Sequence, residues 1–210
     1  MTDRELTKDF IQYLNSLQHI SSSEIPNIDL YMDQVLTFMD TSLSETRRYE
    51  TDKVLTKTMI NNYAKNRILP APVAKKYNKD HMIYLIFIYY LKNILSISDI
   101  QTMFRLIRSL YPEGSSEINL PEAYDRIVDA MKGEMYGMMK DISHKLYESD
   151  HSFEDLKDPV EKERLETFTY LCMLGFDVYL KKQLMEKIID NIQKEEAEEK
   201  EKGKDKPSRE

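Results

Sequence analysis

The 210-residue chain carries 30 basic and 37 acidic side chains, a net charge of -7, and 41% hydrophobic residues. That apolar content supports a packed core and excludes wholesale disorder, while five glycines and seven prolines are too few for the tight turns of an all-β sandwich or barrel. A single cysteine, Cys172, excludes an internal disulfide framework and a CxxC zinc site, and the fold class left standing is all-α.

Asp3, Glu5 and Asp9 make the start acidic, unlike a basic secretory leader. Leu6, Phe10, Leu14 and Leu17 then recur at helical spacing, which predicts an amphipathic helix over 3–18 with Thr2 as its cap. Ser21 to Pro26 reads as a linker, so a first segment closes at 26. A second helix opens at Asn27 or Asp29 and carries Leu30, Val35, Leu36 and Met39. Thr41 to Asp52 is polar and reads as a loop.

Thr56 starts a short helix with Ile60 and Tyr63 on its inner face, ending before Pro70. Pro70-Ala71-Pro72 is a rigid, extended turn, and Lys75-Lys76-Tyr77 a short basic excursion. Lys79 to Leu95 reads as a strongly apolar helix. Its longest uninterrupted apolar run, Met82 to Leu91, is ten residues, about half of a membrane span. The next helix starts at Ser96 or Ser98, and Ser98 and Gln101 have the spacing of a capping box; its buried stripe is Ile100, Met103, Phe104 and Ile107 and its stop is Pro112-Glu113-Gly114.

Two long helices follow. Pro121 suits the first turn of one, which bears Ile127, Val128, Met131, Met135, Met138, Met139, Ile142 and Leu146. The other spans about 159–194, with Leu165, Phe168, Leu171, Cys172, Val178, Leu184, Ile188 and Ile192. Neither stripe can be buried by its own helix, so the two form a hairpin or pair across a dimer. The last segment, 195–210, alternates Glu and Lys without apolar anchors and reads as a disordered tail or a frayed helix end. The expected domains are 1–26, 27–112, 113–194 and the tail.

Charge is unevenly distributed. Lys53, Lys57, Lys65, Arg67, Lys75, Lys76 and Lys79 fall in a window with no acidic residue, so against a total of -7 the remainder carries -14. Such separation is what a phosphate-binding face requires. Thr56, Lys57, Thr58, Asn61 and Asn62 share the short helix, where Asn can pair with adenine and Thr or Lys can reach phosphate or bases. A short helix, a turn, a basic excursion and two further helices is one order that builds a helix-turn-helix with a wing.

Met59-Ile60-Asn61-Asn62-Tyr63-Ala64-Lys65-Asn66-Arg67-Ile68-Leu69-Pro70 resembles the recognition helix and following turn of the MerR-type winged helix. Tyr77 to Met82 resembles the segment where that family's wing ends. Leu85 through Ile100 resembles its last two DNA-domain helices and the turn between them. The match covers residues 28–110. That family often has a glycine where Arg67 stands, so Asn66 is expected to take the left-handed turn. Over the whole chain, including Leu30 to Val35 and Leu55 to Tyr63, the sequence resembles the YkrK-like family of Gram-positive bacteria, long catalogued as a domain of unknown function.

The resemblance and the charge pattern together imply a cytoplasmic, dimeric, sequence-specific transcriptional regulator of bacterial type that reads double-stranded DNA. Its architecture would be a MerR-like winged helix with a small wing, followed by a long-helix dimerisation domain. The expected contacts are Thr56, Lys57, Thr58, Asn61, Asn62, Lys65 and Arg67 along and after the recognition helix, with Arg47, Arg48, Lys75, Lys76, Tyr77 and Lys79 around it. The alternative is a non-enzymatic adaptor that uses the same scaffold to hold a protein. No enzyme signature is present. His19, His81, His144 and His151 are scattered, the His144–Glu148 pair has no second ligand pair beside it, and no phosphate-cradling glycine loop occurs. No metal, cofactor or membrane association is expected. A small-molecule effector among Met131 to Met139 is a weaker reading than core packing, and Cys172 reads as a buried small hydrophobe.

Overall fold

The computed structural model describes residues 3–16, 20–110 and 117–204. Thr2, Leu17, His19, the Pro112-Glu113-Gly114 stop and the last six residues of the expected tail lie outside the described residues, as does the side chain of Leu6. The elements are α1 (Asp3–Ser16), β1 (Leu30–Tyr31), α2 (Met32–Ser42), α3 (Lys57–Lys65), β2 (Lys76–Tyr77), α4 (Lys79–Leu91), α5 (Ile97–Leu110), α6 (Leu120–Asp150) and α7 (Pro159–Lys204). The chain is mostly helical, and its small sheet pairs β1 with β2 antiparallel, Leu30 opposite Tyr77 and Tyr31 opposite Lys76. That pairing corrects the start of the second helix. Leu30 and Tyr31 are held extended by the sheet, so α2 begins at Met32, where Gln34 Oε1 accepts the Tyr31 backbone N–H at 2.9 Å.

The chain divides into two compact units, Met1–His19 with Arg126–Gln183, and Ile20–Asp125 with Leu184–Glu210. The core of the second is built by short elements that each turn one face inward. Val35 and Met39 come from α2, Ile60 from α3, and Ile100 and Phe104 from α5; all are essentially inaccessible. Each such side chain contributes roughly 1.5–3 kcal/mol by leaving water. Between them runs α4, in which Met82, Ile83, Tyr84, Leu85, Ile86 and Ile88 are all buried. A helix apolar on every side has no solvent face to offer, which makes α4 the central element of this unit. Tyr124 at the start of α6 closes the unit, donating its hydroxyl to Ile20 O at 2.6 Å while its ring meets Phe87 edge-on at 5.4 Å. Ser22 adds a second tie, donating its backbone N–H and its hydroxyl to the Asp125 carboxylate at 2.7 and 2.5 Å.

α4 stops at Leu91, short of the expected Leu95, and α5 takes the earlier of its two expected starts, with Ser96 and Asp99 as its capping pair, not Ser98 and Gln101. Ser96 Oγ accepts the Asp99 N–H at 3.2 Å, and Asp99 Oδ2 accepts the Ser96 N–H at 3.2 Å. The earlier serine wins because Leu95 is buried, which places the chain reversal before Ser96. The charged stretch from 195 continues as helix to Lys204. Its anchors are polar: Glu196 takes a two-pronged ion pair from Arg105 at 3.0 and 3.1 Å, and Gln193 donates to the buried Thr102 hydroxyl at 2.9 Å. Composition alone does not show such anchors, because they depend on what α5 presents.

In the first unit, the Thr7 and Tyr170 hydroxyls share a buried hydrogen bond of 3.2 Å. Lys145 reaches Asp141 on its own helix and stands 4.0 Å from Asp177 of α7. Much of the expected apolar stripe faces solvent in the single chain. Ile127, Met131 and Met138 of α6 are exposed, and so are Phe168, Leu171, Val178, Leu184 and Ile188 of the full α7. The methionines are therefore not core residues of one chain. Cys172 is exposed too, which corrects its reading as a buried hydrophobe. Among the described residues no neighbour comes within 4 Å of where a Cβ on Gly133, Gly137 or Gly175 would lie. No helix among the described residues is long and apolar enough to cross a membrane.

Candidate nucleic-acid interface

The face in question is the outer side of α3. Thr56 caps the helix, its Oγ1 accepting the Met59 N–H at 3.2 Å, a contact of a kind that contributes about 1 kcal/mol. Ile60 and Tyr63 turn inward and are buried. Helical periodicity then carries Lys57, Asn61 and Lys65, four residues apart, and Thr58 and Asn62 beside them, to the opposite side. All five are exposed. Asn66 Nδ2 donates to Asn62 Oδ1 at 2.9 Å. Thr56 itself is only half-exposed, and its hydroxyl is already engaged by the cap.

The end of α3 explains how this face is held. Ile68 N–H bonds back to Tyr63 O at 2.9 Å and Arg67 N–H to Ala64 O at 3.0 Å, the paired closure of a Schellman motif. That motif puts its left-handed residue directly after the cap Asn66, so Arg67 takes φ 55° and Asn66 stays at -84°. This corrects the expectation for Asn66. A bulky residue in that conformation costs roughly 1–2 kcal/mol. The burial of Ile68 and Leu69, both within 1% of fully covered, more than offsets it. Arg67 is exposed beyond the helix end.

Two residues not assigned to this face from the sequence complete the support. Gln101 Nε2 donates to Asn66 O at 3.1 Å, and the Arg108 guanidinium donates to Arg67 O at 2.5 Å and to Ile68 O. The carbonyls of the cap and turn that close α3 thus find their donors on α5, 35 to 41 residues away in sequence. Arg108 also lies over the Tyr84 ring at 5.3 Å. The helical phase of Arg108, one turn past Phe104 on the inward side of α5, was the available signal.

Beyond α3, Val73 and Lys76 exchange backbone hydrogen bonds at 2.9 and 3.1 Å around Ala74 and Lys75, both at positive φ. This is the two-residue hairpin whose twist suits antiparallel strands, and it places the exposed Lys75 at the tip. Lys76 extends its ammonium over the Tyr31 ring at 5.3 Å. Strand alternation sends the next side chain the other way. Tyr77 is 4% exposed and meets His81 edge-on at 5.5 Å, so it cannot touch a ligand, which corrects its assignment as a contact residue. Arg47 is turned into the α2–α3 connection, donating to Ser44 O at 3.2 Å and lying 3.5 Å from Asp40. Arg48 is exposed and stacks over Tyr49 at 5.2 Å. Lys79, in the first turn of α4, is half-buried.

His81 fixes the junction between hairpin and α4. Its Nδ1 accepts the Asn78 N–H at 3.2 Å, while Asn78 Oδ1 accepts the His81 N–H at 3.1 Å. Burial lowers the imidazole pKa below its ordinary 6.5, against opposing pulls from the Ala71 carbonyl and Asp80. The folded chain therefore holds His81 neutral. As pH falls below about 6.5 the unfolded state takes up the proton first, and stability drops. The expected result is that the stability difference between the protein and a His81→Gln variant narrows as pH is lowered from 7 to 5. Denaturant midpoints measured at each pH check it, and a difference that stays constant with pH contradicts it.

A family model described as "Domain of unknown function (DUF1836)" matches residues 20–127, just over half of the chain. The match coincides with the first segment of the second unit, Ile20–Asp125. No curated protein and no solved structure matches the chain.

Proposed function

The chain belongs to the DUF1836 family, whose domain holds α2 to α5 and the exposed face of α3, and from that premise we propose that it is a sequence-specific DNA-binding transcriptional regulator. The observation that carries the reading is the placement of Lys57, Thr58, Asn61, Asn62 and Lys65. They project from one side of a short capped helix whose other side is anchored in the core. A helix so presented can enter a major groove, with amides and hydroxyls at base edges and ammonium groups at phosphates. The hairpin tip at Lys75 supplies the wing of a MerR-like winged helix, and Lys76, Arg48, Arg67 and Lys79 add positive charge around it.

The protein acts as a homodimer on a palindromic site, because two-fold protein symmetry is matched by two-fold site symmetry. The uncovered apolar residues of α6 and α7 support such pairing, since large exposed apolar stripes mark association surfaces. The reading is non-enzymatic, requires no cofactor or metal, and places the protein in the cytoplasm.

Selection of bound duplexes from a random DNA pool tests it directly. Enrichment of a palindrome is expected. Asn61→Ala with Asn62→Ala should relax the preference, while Lys75→Ala with Lys76→Ala should weaken all duplexes alike. Recovery of no enriched sequence, with capture of a protein through the same face, would establish the adaptor reading instead.

A further inference from the structure

The first unit contains a cavity of about 250 Å³ with no part in the DNA-binding reading. Phe10, Ile142, Leu171 and Leu174 form its apolar wall, Thr7 and Tyr170 its polar end, and Thr167 also lines it. We propose that it binds a small, uncharged, largely apolar molecule that carries one hydroxyl or carbonyl oxygen. Among the described residues no charged side chain lines the cavity. An ionised ligand there would lose hydration without gaining a counter-charge, at a cost of several kcal/mol. The polar end sets the single oxygen. Thr7 and Tyr170 are both buried and share one hydrogen bond of 3.2 Å. Two hydroxyls hold two protons, and their mutual bond uses one of them. The second can turn to an oxygen in the cavity without breaking that bond. Phe10 and Leu171 each keep part of their surface in solvent, which marks the open side. The volume lies just below the usual range of small-molecule sites, about 300–1,000 Å³, and suits one or two fused rings.

The inference stands independently of DNA binding, and its test uses the full chain at pH 7. Three probes share one ring system: 2-naphthol, 2-methylnaphthalene and 2-naphthoate. The naphthol should bind saturably, one per chain, and raise the melting temperature. The naphthoate should bind at least tenfold more weakly. Tyr170→Phe should weaken the naphthol about fivefold and leave 2-methylnaphthalene unchanged, a split that general loosening of the fold does not produce. Leu174→Trp should fill the cavity and abolish binding of all three. Equal affinity for naphthol and naphthoate, or unchanged naphthol binding in both variants, overturns the proposal. So does sedimentation showing that Leu174→Trp dissociates a dimer, because the cavity would then belong to a second copy.

Discussion

Reversing two charges on α3, Lys57→Glu with Lys65→Glu, should lower affinity for any duplex by more than a hundredfold at 0.1 M salt. Phosphate contacts release condensed counterions, so the logarithm of affinity falls with the logarithm of salt by about 0.9 per contact. If each protomer neutralises about four phosphates, the dimer has a slope near -7. Removing two contacts per protomer brings it to about -4. Reversal goes further than deletion, because each glutamate repels the phosphate the lysine would have met. The fold should tolerate the change, since both side chains are exposed. A glutamate at Lys57 gains from the positive end of the helix dipole roughly what one at Lys65 loses at the other end. Binding of a generic 20-base-pair duplex, titrated at several salt concentrations with circular dichroism as the folding control, reads both quantities. A variant that keeps the affinity and the slope of the parent sinks the placement of the site on α3.

Much of that face was legible in the sequence because it depends on local rules. Thr56 before a helical period, Ile60 and Tyr63 three apart, and polar residues between them determine which side of α3 faces out, whatever the rest of the chain does. The same locality explains the buried α4 and the turn at Pro70. What escaped was decided by partners distant in sequence. Tyr77 lies in a basic stretch and reads as a contact residue, yet it pairs with Leu30 and turns inward. Arg67 takes the left-handed position because the Schellman closure is set by the burial of Ile68 and Leu69, not by the preference of Asn66. Gln101 is spaced for a cap on Ser98, but the reversal after Leu95 gives that role to Ser96 and frees Gln101 to hold α3. Arg47 is as basic as Arg48 but is held by Asp40 near the end of α2 and by the Ser44 carbonyl in the loop after it. The long helices were placed by periodicity, but a stripe of apolar residues does not say whether its cover is the same chain or a second one.

The opposite side of α3 yields the largest expected effect on stability. Ile60→Ala should destabilise the unit containing α3 by about 2–5 kcal/mol, whereas Asn61→Ala, one residue along the same helix, should change it by no more than about 0.5 kcal/mol. Ile60 is fully buried, and truncating it removes the transfer free energy of three carbons and leaves a void that the surrounding helices fill only in part. The void lies beneath Lys57, Asn61 and Lys65, so the face should lose its fixed orientation as well. Because the chain has two compact units, unfolding need not be a single transition. The measurement is therefore urea unfolding read at amides of α3 by hydrogen exchange, which isolates the free energy of the opening that exposes this helix. At a urea dependence of about 1–3 kcal/mol per molar, the Ile60 variant should open about 0.7 M earlier or more. Equal shifts for Ile60→Ala and Asn61→Ala would mean that α3 is not anchored by its inner face. The outward display of its lysines and asparagines would then have no fixed platform.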